Sequence, residues 1–189
     1  MEGTRLTIVQ HDPDGFEFTI RTPGTPKRWA QYDEELSAIW RQLEAKGAQL
    51  RRSHGQRAAA ATAAGADGGE GEVRLSPNEL RSTADLILSV FFYWVNFGPL
   101  SRGSAACGYA AMFALFLSFG IRVKSQVKEG VQADWEAILR PTPQEFIDEV
   151  SPWLYPSLSQ AALDEEVPSV QEHVPTLRAA IEAMNAGLE

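Results

Sequence analysis

The 189-residue sequence has one cysteine, Cys107, and three scattered histidines, His11, His54 and His173. A single thiol excludes an intrachain disulfide, so the fold must hold without covalent staples, and a reducing compartment, cytoplasm or nucleus, is expected. One thiol and three dispersed imidazoles also give no metal-ligand spacing. There is no P-loop, no dinucleotide fingerprint and no G-x-S-x-G elbow, so no cofactor is expected. The opening MEGTRLTIVQHD lacks the apolar core behind a basic end that marks a signal peptide. Positive charge is scarce after residue 60: residues 61–189 hold eight Lys/Arg against seventeen Asp/Glu. That balance repels a phosphate backbone, and no nucleic-acid contact is expected.

What is present is patterned. Leu6, Ile8, Phe16, Phe18 and Ile20 alternate with polar residues on either side of DPDG, which predicts a β-hairpin with one apolar face. Trp29, Tyr32, Leu36, Ile39, Trp40 and Leu43 then recur at helical spacing. Thr25 is placed to cap that helix, Pro26 suits its first position, and Gly47 is read as its end. The helix is expected to cover the hairpin. Residues 48–74, rich in Ala and Gly, bury too little to offset their ordering entropy and are read as a flexible insert within a single domain, 1–189. Ser76, Pro77 and Glu79 then open a helix that should stop at Gly98-Pro99. A second apolar helix is expected from Ser101 or Ser104 to Gly120, then a strand near 121–128, a short helix in VQADWEAIL and another opened by Thr142, Pro143 and Glu145. Val170, Val174, Leu177, Ile181 and Met184 are again at helical spacing, with Pro175 among them. The fold class is therefore α+β: a small antiparallel sheet, made of the hairpin and the strand near 121–128, packed on two central apolar helices and peripheral ones.

From Leu86 to Ile121 the only charge is Arg102. A membrane-associated hairpin at 86–121 is one reading, but the first segment is short and no basic cluster flanks either one. A catalytic pocket near Ser104 and Cys107, serving a transferase or hydrolase, is another, but it needs a base held by a third group. The reading adopted is packed core, with Cys107 as a small core residue. Two places suit an anion or a partner. In RTPGTPKR, Arg21, Lys27 and Arg28 gather near a helix N-terminus, with Thr22 and Thr25 each before a proline. In PLSRGS, Arg102 interrupts the apolar run and is expected to cap a carbonyl or pair with a carboxylate of Asp134–Glu136.

The segments RTPGTPKRW, ADLILSVFFYWVNFGPLSRGSAACGY, VKEGVQADWEAIL and WLYPSL resemble the C-terminal region of the tetratricopeptide repeat protein 13 family of animals and of its plant counterpart that restrains effector-triggered immunity. The resemblance implies a non-enzymatic scaffold or regulatory module whose partners are other proteins. It marks Trp94, Asn96, Pro99, Ser101, Arg102 and Gly103 as a family signature, with Trp135 and Trp153 in the same core. The repeats of that family are not found within these 189 residues.

Overall fold

A computed structural model describes residues 5–11, 15–21, 24–63, 75–100, 102–124 and 128–160. The hairpin forms as the alternation requires: β1 (Arg5–His11) pairs antiparallel with β2 (Gly15–Arg21). Its register sets Leu6 opposite Ile20 and Ile8 opposite Phe18, so the apolar residues share one face. That face is not covered as expected. Ile8, Phe16 and Phe18 are exposed, and Phe18 meets the Trp135 ring edge-on at 5.3 Å.

Helix α1 (Pro26–Ala63) follows. It does not end at Gly47. A glycine inside a helix costs only about 1 kcal/mol, and this one lies against the Phe119 ring. Most residues after it, Ala48–Arg52 and Gln56–Ala61, are strong helix formers, enough to carry the helix through Ser53, His54 and a second glycine, Gly55. The described part of the Ala/Gly-rich stretch is therefore helix; its remainder, 64–74, lies outside the described residues. The buried side of α1 carries Arg28, Tyr32, Ile39 and Leu43, whereas Trp29 and Trp40, expected on that side, are 55% and 49% exposed.

Helix α2 (Pro77–Phe97) is the centre of the molecule. Its start is a full capping box: Ser76 Oγ accepts from the Glu79 amide at 3.3 Å, and the Glu79 carboxylate accepts from the Ser76 amide at 2.9 Å. Its end is Gly98 at φ +57°, whose N–H returns to the Trp94 carbonyl at 3.0 Å. Ala84, Ile87, Leu88, Phe91, Phe92 and Val95 are all buried, contacting helices on several sides. Helix α3 (Ser104–Ser118) returns along α2 after a link that turns at Gly103, φ +77°. It is not buried all round: Met112 and Phe116 enter the core, while Ala106, Cys107, Ala110, Ala111, Ala114 and Leu117 are exposed. Cys107 is thus a surface thiol, not a core residue.

Strand β3 (Ile121–Val123) forms where a strand was expected, but its partner is not the hairpin. It pairs antiparallel with β4 (Leu158–Gln160), so two separate two-stranded sheets stand among the described residues. Between them lie α4 (Ala133–Leu139) and α5 (Pro143–Leu154), the latter capped by Thr142. Helix α5 runs through Pro152 in its last turn and gives way to a 3-10 turn at Tyr155–Ser157. Arg140 pairs with Glu136 at 3.2 Å and with Glu149 at 2.6 Å, tying α4 to α5. Phe146, Ile147, Val150 and Leu154 complete the core under α2. The fold is α+β. No helix among the described residues is long and apolar enough to cross a membrane; at about 1.5 Å per residue, the 15 residues of α3 fall short of a bilayer core.

Candidate interaction groove

Three helices build a wide concave surface, and polar contacts fix how they meet. Arg28, 1% exposed, reaches from α1 to the end of α2 and donates to the carbonyl oxygens of Asn96 and, at 3.2 Å, Phe97. A cation at a helix C-terminus satisfies carbonyls that have no intrahelical partner and opposes the negative end of the dipole. The same guanidinium lies 4.4 Å from the centre of the Tyr32 ring, which stacks on Phe97 at 5.4 Å. Burial pushes the Tyr32 hydroxyl pKa above its ordinary value, against the opposing pull of Arg28. At the far end of the pair, Lys46 of α1 donates to the Ser82 hydroxyl. Asn96 adds a third helix: its amide nitrogen donates to Phe92 O and Ala137 O, both at 3.0 Å, locking α2 to α4.

On the opposite flank, Trp94 sets the spacing of α2 and α3. Its indole Nε1 donates to the Ser104 carbonyl at 2.7 Å. Its ring occupies the space beside Gly108, where an added Cβ would stand 2.5 Å from Cδ1. Ser104 Oγ meets the amide of Leu100 at 3.0 Å and its carbonyl at 3.1 Å, closing the turn between the helices.

With α1 and α3 held on either side of α2, an open groove remains between them. Leu36, Ser37, Trp40 and Arg41 form one wall; Ala111, Ala114, Leu115 and Ser118 form the other; Val90 and Trp94 are the floor. Its volume is about 1060 Å³ and its lining is mostly apolar. Outside the groove lining, the Phe119 ring stands 3.8 Å from where a Cβ on Gly47 of α1 would lie. A smaller apolar pocket lined by Tyr109, Met112 and Trp153 holds about 20 Å³, too small for a ligand.

The residues singled out from sequence fall in different places. Arg21 is exposed at the end of β2 and Lys27 is exposed on α1; Thr22 lies outside the described residues. Thr25 caps α1, its Oγ1 3.3 Å from the Arg28 amide, and Arg28 is buried as described. Of the signature, Trp94 and Asn96 carry the contacts above, Pro99 and Arg102 are exposed, and Gly103 supplies the left-handed turn. Ser101 lies outside the described residues. Trp135 receives Phe18, and Trp153 lines the small cavity. Among the described residues no cluster of three or more His, Cys, Asp or Glu is placed to hold a metal.

Sequence reasoning missed the groove. Its signal was present: Ala111, Ala114 and Ser118 share one face of α3, and Trp40 follows Leu36 by four. It also missed two links between distant segments. Tyr155 donates to Asp85, and burial, then that bond and the Asp85 charge, push the Tyr155 pKa well above the usual tyrosine value. The Gln160 side-chain amide brackets the backbone of Leu75: its oxygen accepts from Leu75 N at 2.8 Å and its nitrogen donates to Leu75 O.

The geometry defines a helical module with an apolar, unfilled groove and no assembled catalytic constellation among the described residues. The chain is 36% identical over 159 residues to a protein named suppressor of RPS4-RLD 1 from Arabidopsis thaliana, covering 84% of this chain and 13% of that protein. It is 29% identical over 153 residues to tetratricopeptide repeat protein 13 from Homo sapiens, covering 81% of this chain and 15% of that protein. The chain is thus homologous to a small part of each. No protein-family model matches it, and no solved structure matches it.

Proposed function

We propose that the chain is a non-enzymatic protein-interaction module of a repeat-type regulatory scaffold, and that the α1–α2–α3 groove is its contact surface. The observation that carries the reading is the groove itself. Trp40, 49% exposed on its rim with its indole nitrogen donating to Glu44 of the same helix, and the exposed Ala111 and Ala114 of α3 present apolar surface to solvent. A groove of this width with an aromatic anchor suits an amphipathic helix laid between two others. Arg41, the one cation among its lining residues, is too little charge to hold a phosphate backbone. The relatives' names, one of them denoting tetratricopeptide repeats and neither denoting a catalytic activity, support the same reading. Arg102, exposed in the link between α2 and α3 beside the exposed Pro99 and Gly103, is the charged signature residue a partner could touch. An enzyme has no comparable support: the Ser104 hydroxyl is engaged by backbone groups rather than a base.

The test is affinity capture with the 189-residue chain and with Trp40→Glu, followed by mass spectrometry of what is retained. Proteins held by the first and lost by the second are the expected result. Recovery of nothing above background, or of the same set by both, would overturn the reading.

A further inference from the structure

The groove has a potential occupant in the same chain. Resting on the groove reading above, we infer that the C-terminal segment Val174–Leu188 docks into it as a helix, antiparallel to α3, and acts as an intramolecular stand-in for a partner helix. Four observations converge.

The first is where the chain leads. The last described residue, Gln160, pairs with Ile121, three residues beyond the groove-lining Ser118. The segment therefore starts beside the end it would enter. The second is length. Thirteen residues separate Gln160 from Val174, ample reach at up to about 3.3 Å each. From Val174 to Met184 a helix rises about 15 Å, and from Ser118 back to Cys107 α3 rises about 16 Å. The third is pattern. Leu177, Ile181, Met184 and Leu188 follow each other at intervals of four, three and four, a single apolar stripe. Pro175 precedes the stripe and suits a helix start. The α3 wall repeats the interval in Ala111, Ala114 and Ser118, with the exposed Cys107 one turn earlier on the same face. The fourth is charge. The residues leading to the segment include Asp164, Glu165 and Glu166. Beyond the groove-lining Arg41, α1 carries charges of the opposite sign, Lys46, Arg51 and Arg52. The small side chains of the α3 wall allow a close helix approach, while Trp40 and Leu36 supply the opposing surface.

Cys107 makes the docking measurable in the full chain, because it is exposed and is the only thiol. Antiparallel docking brings Met184 alongside it. Full-length Met184→Cys and Ala186→Cys are oxidised with diamide. Position 186 lies at nearly the same height but on the opposite face of the helix. The expected result is an intramolecular disulfide that forms at least about tenfold faster in Met184→Cys than in Ala186→Cys, independent of protein concentration. Adding Trp40→Glu should remove that advantage while the far-UV spectrum is retained. Equal rates at the two positions, an advantage untouched by Trp40→Glu, or a product that is an intermolecular dimer scaling with concentration would each overturn the inference. In the last case a second copy takes the groove. Failure of the cross-link with persistent Trp40-dependent partner capture would reject the stand-in and leave the interaction module standing.

Discussion

Gly108→Ala tests the packing of α2 on α3 through the sign of its effect. In an open helix interior, replacing glycine by alanine stabilises by about 1 kcal/mol. Gly108 is helical, so no backbone strain opposes the change. The added methyl, however, would lie 2.5 Å from Trp94 Cδ1 and 3.1 Å from Nε1. The indole cannot swing aside freely, because Nε1 is held by the Ser104 carbonyl at 2.7 Å. Either α3 backs away, at an overpacking cost of about 1–3 kcal/mol, or the ring moves and forfeits a hydrogen bond of about 0.5–1.5 kcal/mol together with its contacts. Against the propensity gain, the net expectation is destabilisation of up to about 2 kcal/mol. Urea unfolding followed at 222 nm reads this as a lower midpoint at unchanged slope. In a Trp94→Leu background the clash is absent, so Gly108→Ala should become neutral or stabilising, and a double-mutant cycle gives the coupling. A raised midpoint for Gly108→Ala in the wild-type background would refute the reasoning.

Other consequences follow from the same contacts. Arg28→Met removes the donor to the Asn96 and Phe97 carbonyls and should destabilise by about 2–3 kcal/mol in the same assay. Asn96→Ala, losing its bonds to Phe92 and Ala137, should cost about 1–3 kcal/mol. For Tyr155 the folded pKa is raised above the ordinary 10.0. Its stabilisation is therefore complete below about pH 10 and is lost as pH rises toward the folded value, because the unfolded chain releases its proton first. Alkaline titration of stability should fall less steeply above pH 10 for Tyr155→Phe than for the wild type. Trp135→Ala removes the aromatic contact with Phe18; amide exchange should accelerate at least about tenfold across residues 5–21 and stay unchanged in α2, a local opening rather than a global one.

Local chemistry made most of the elements legible. Ser76-Pro77-Glu79, Thr142-Pro143-Glu145 and Gly98-Pro99 set helix ends from side chains within four residues of each other, and the structure uses them as such. The hairpin register followed from strict alternation. The errors came where a distant partner decides. Gly47 reads as a stop on propensity, yet the ring of Phe119 and a helix-forming continuation carry α1 past it. The strand at 121–123 was visible, but its pairing with 158–160 depends on how α4 and α5 return the chain, which no local pattern encodes. Arg28 looked like a surface cation because it stands in a basic connector; only the approach of the α2 C-terminus turns it into a buried donor.

The groove was hidden for a different reason. Hydropathy reports how much a side chain would gain by leaving water, not whether its own chain provides the cover. Helix α3 is apolar on nearly every side, so it reads as fully buried, yet α2, β3 and the core use only the face of Gly108, Met112 and Phe116. What separates the used face from the unused one is size. Met112 and Phe116 fill space against α2, while Ala111, Ala114 and Ser118 are small and leave room. Trp40 shows the reverse: a large ring at core-like spacing that lies at the rim, because α1 turns Tyr32, Ile39 and Leu43 to α2 instead. A wall of small residues facing an aromatic rim is the shape two helices leave for a third to pack between them. The same reasoning makes the groove sensitive to bulk. Ala111→Trp should leave the unfolding midpoint within about 0.5 kcal/mol of wild type, since the position is exposed. It should nevertheless abolish both partner capture and the Met184→Cys cross-link, because it fills the space the third helix needs. Retention of both in that variant would show that this face is not where the chain is covered.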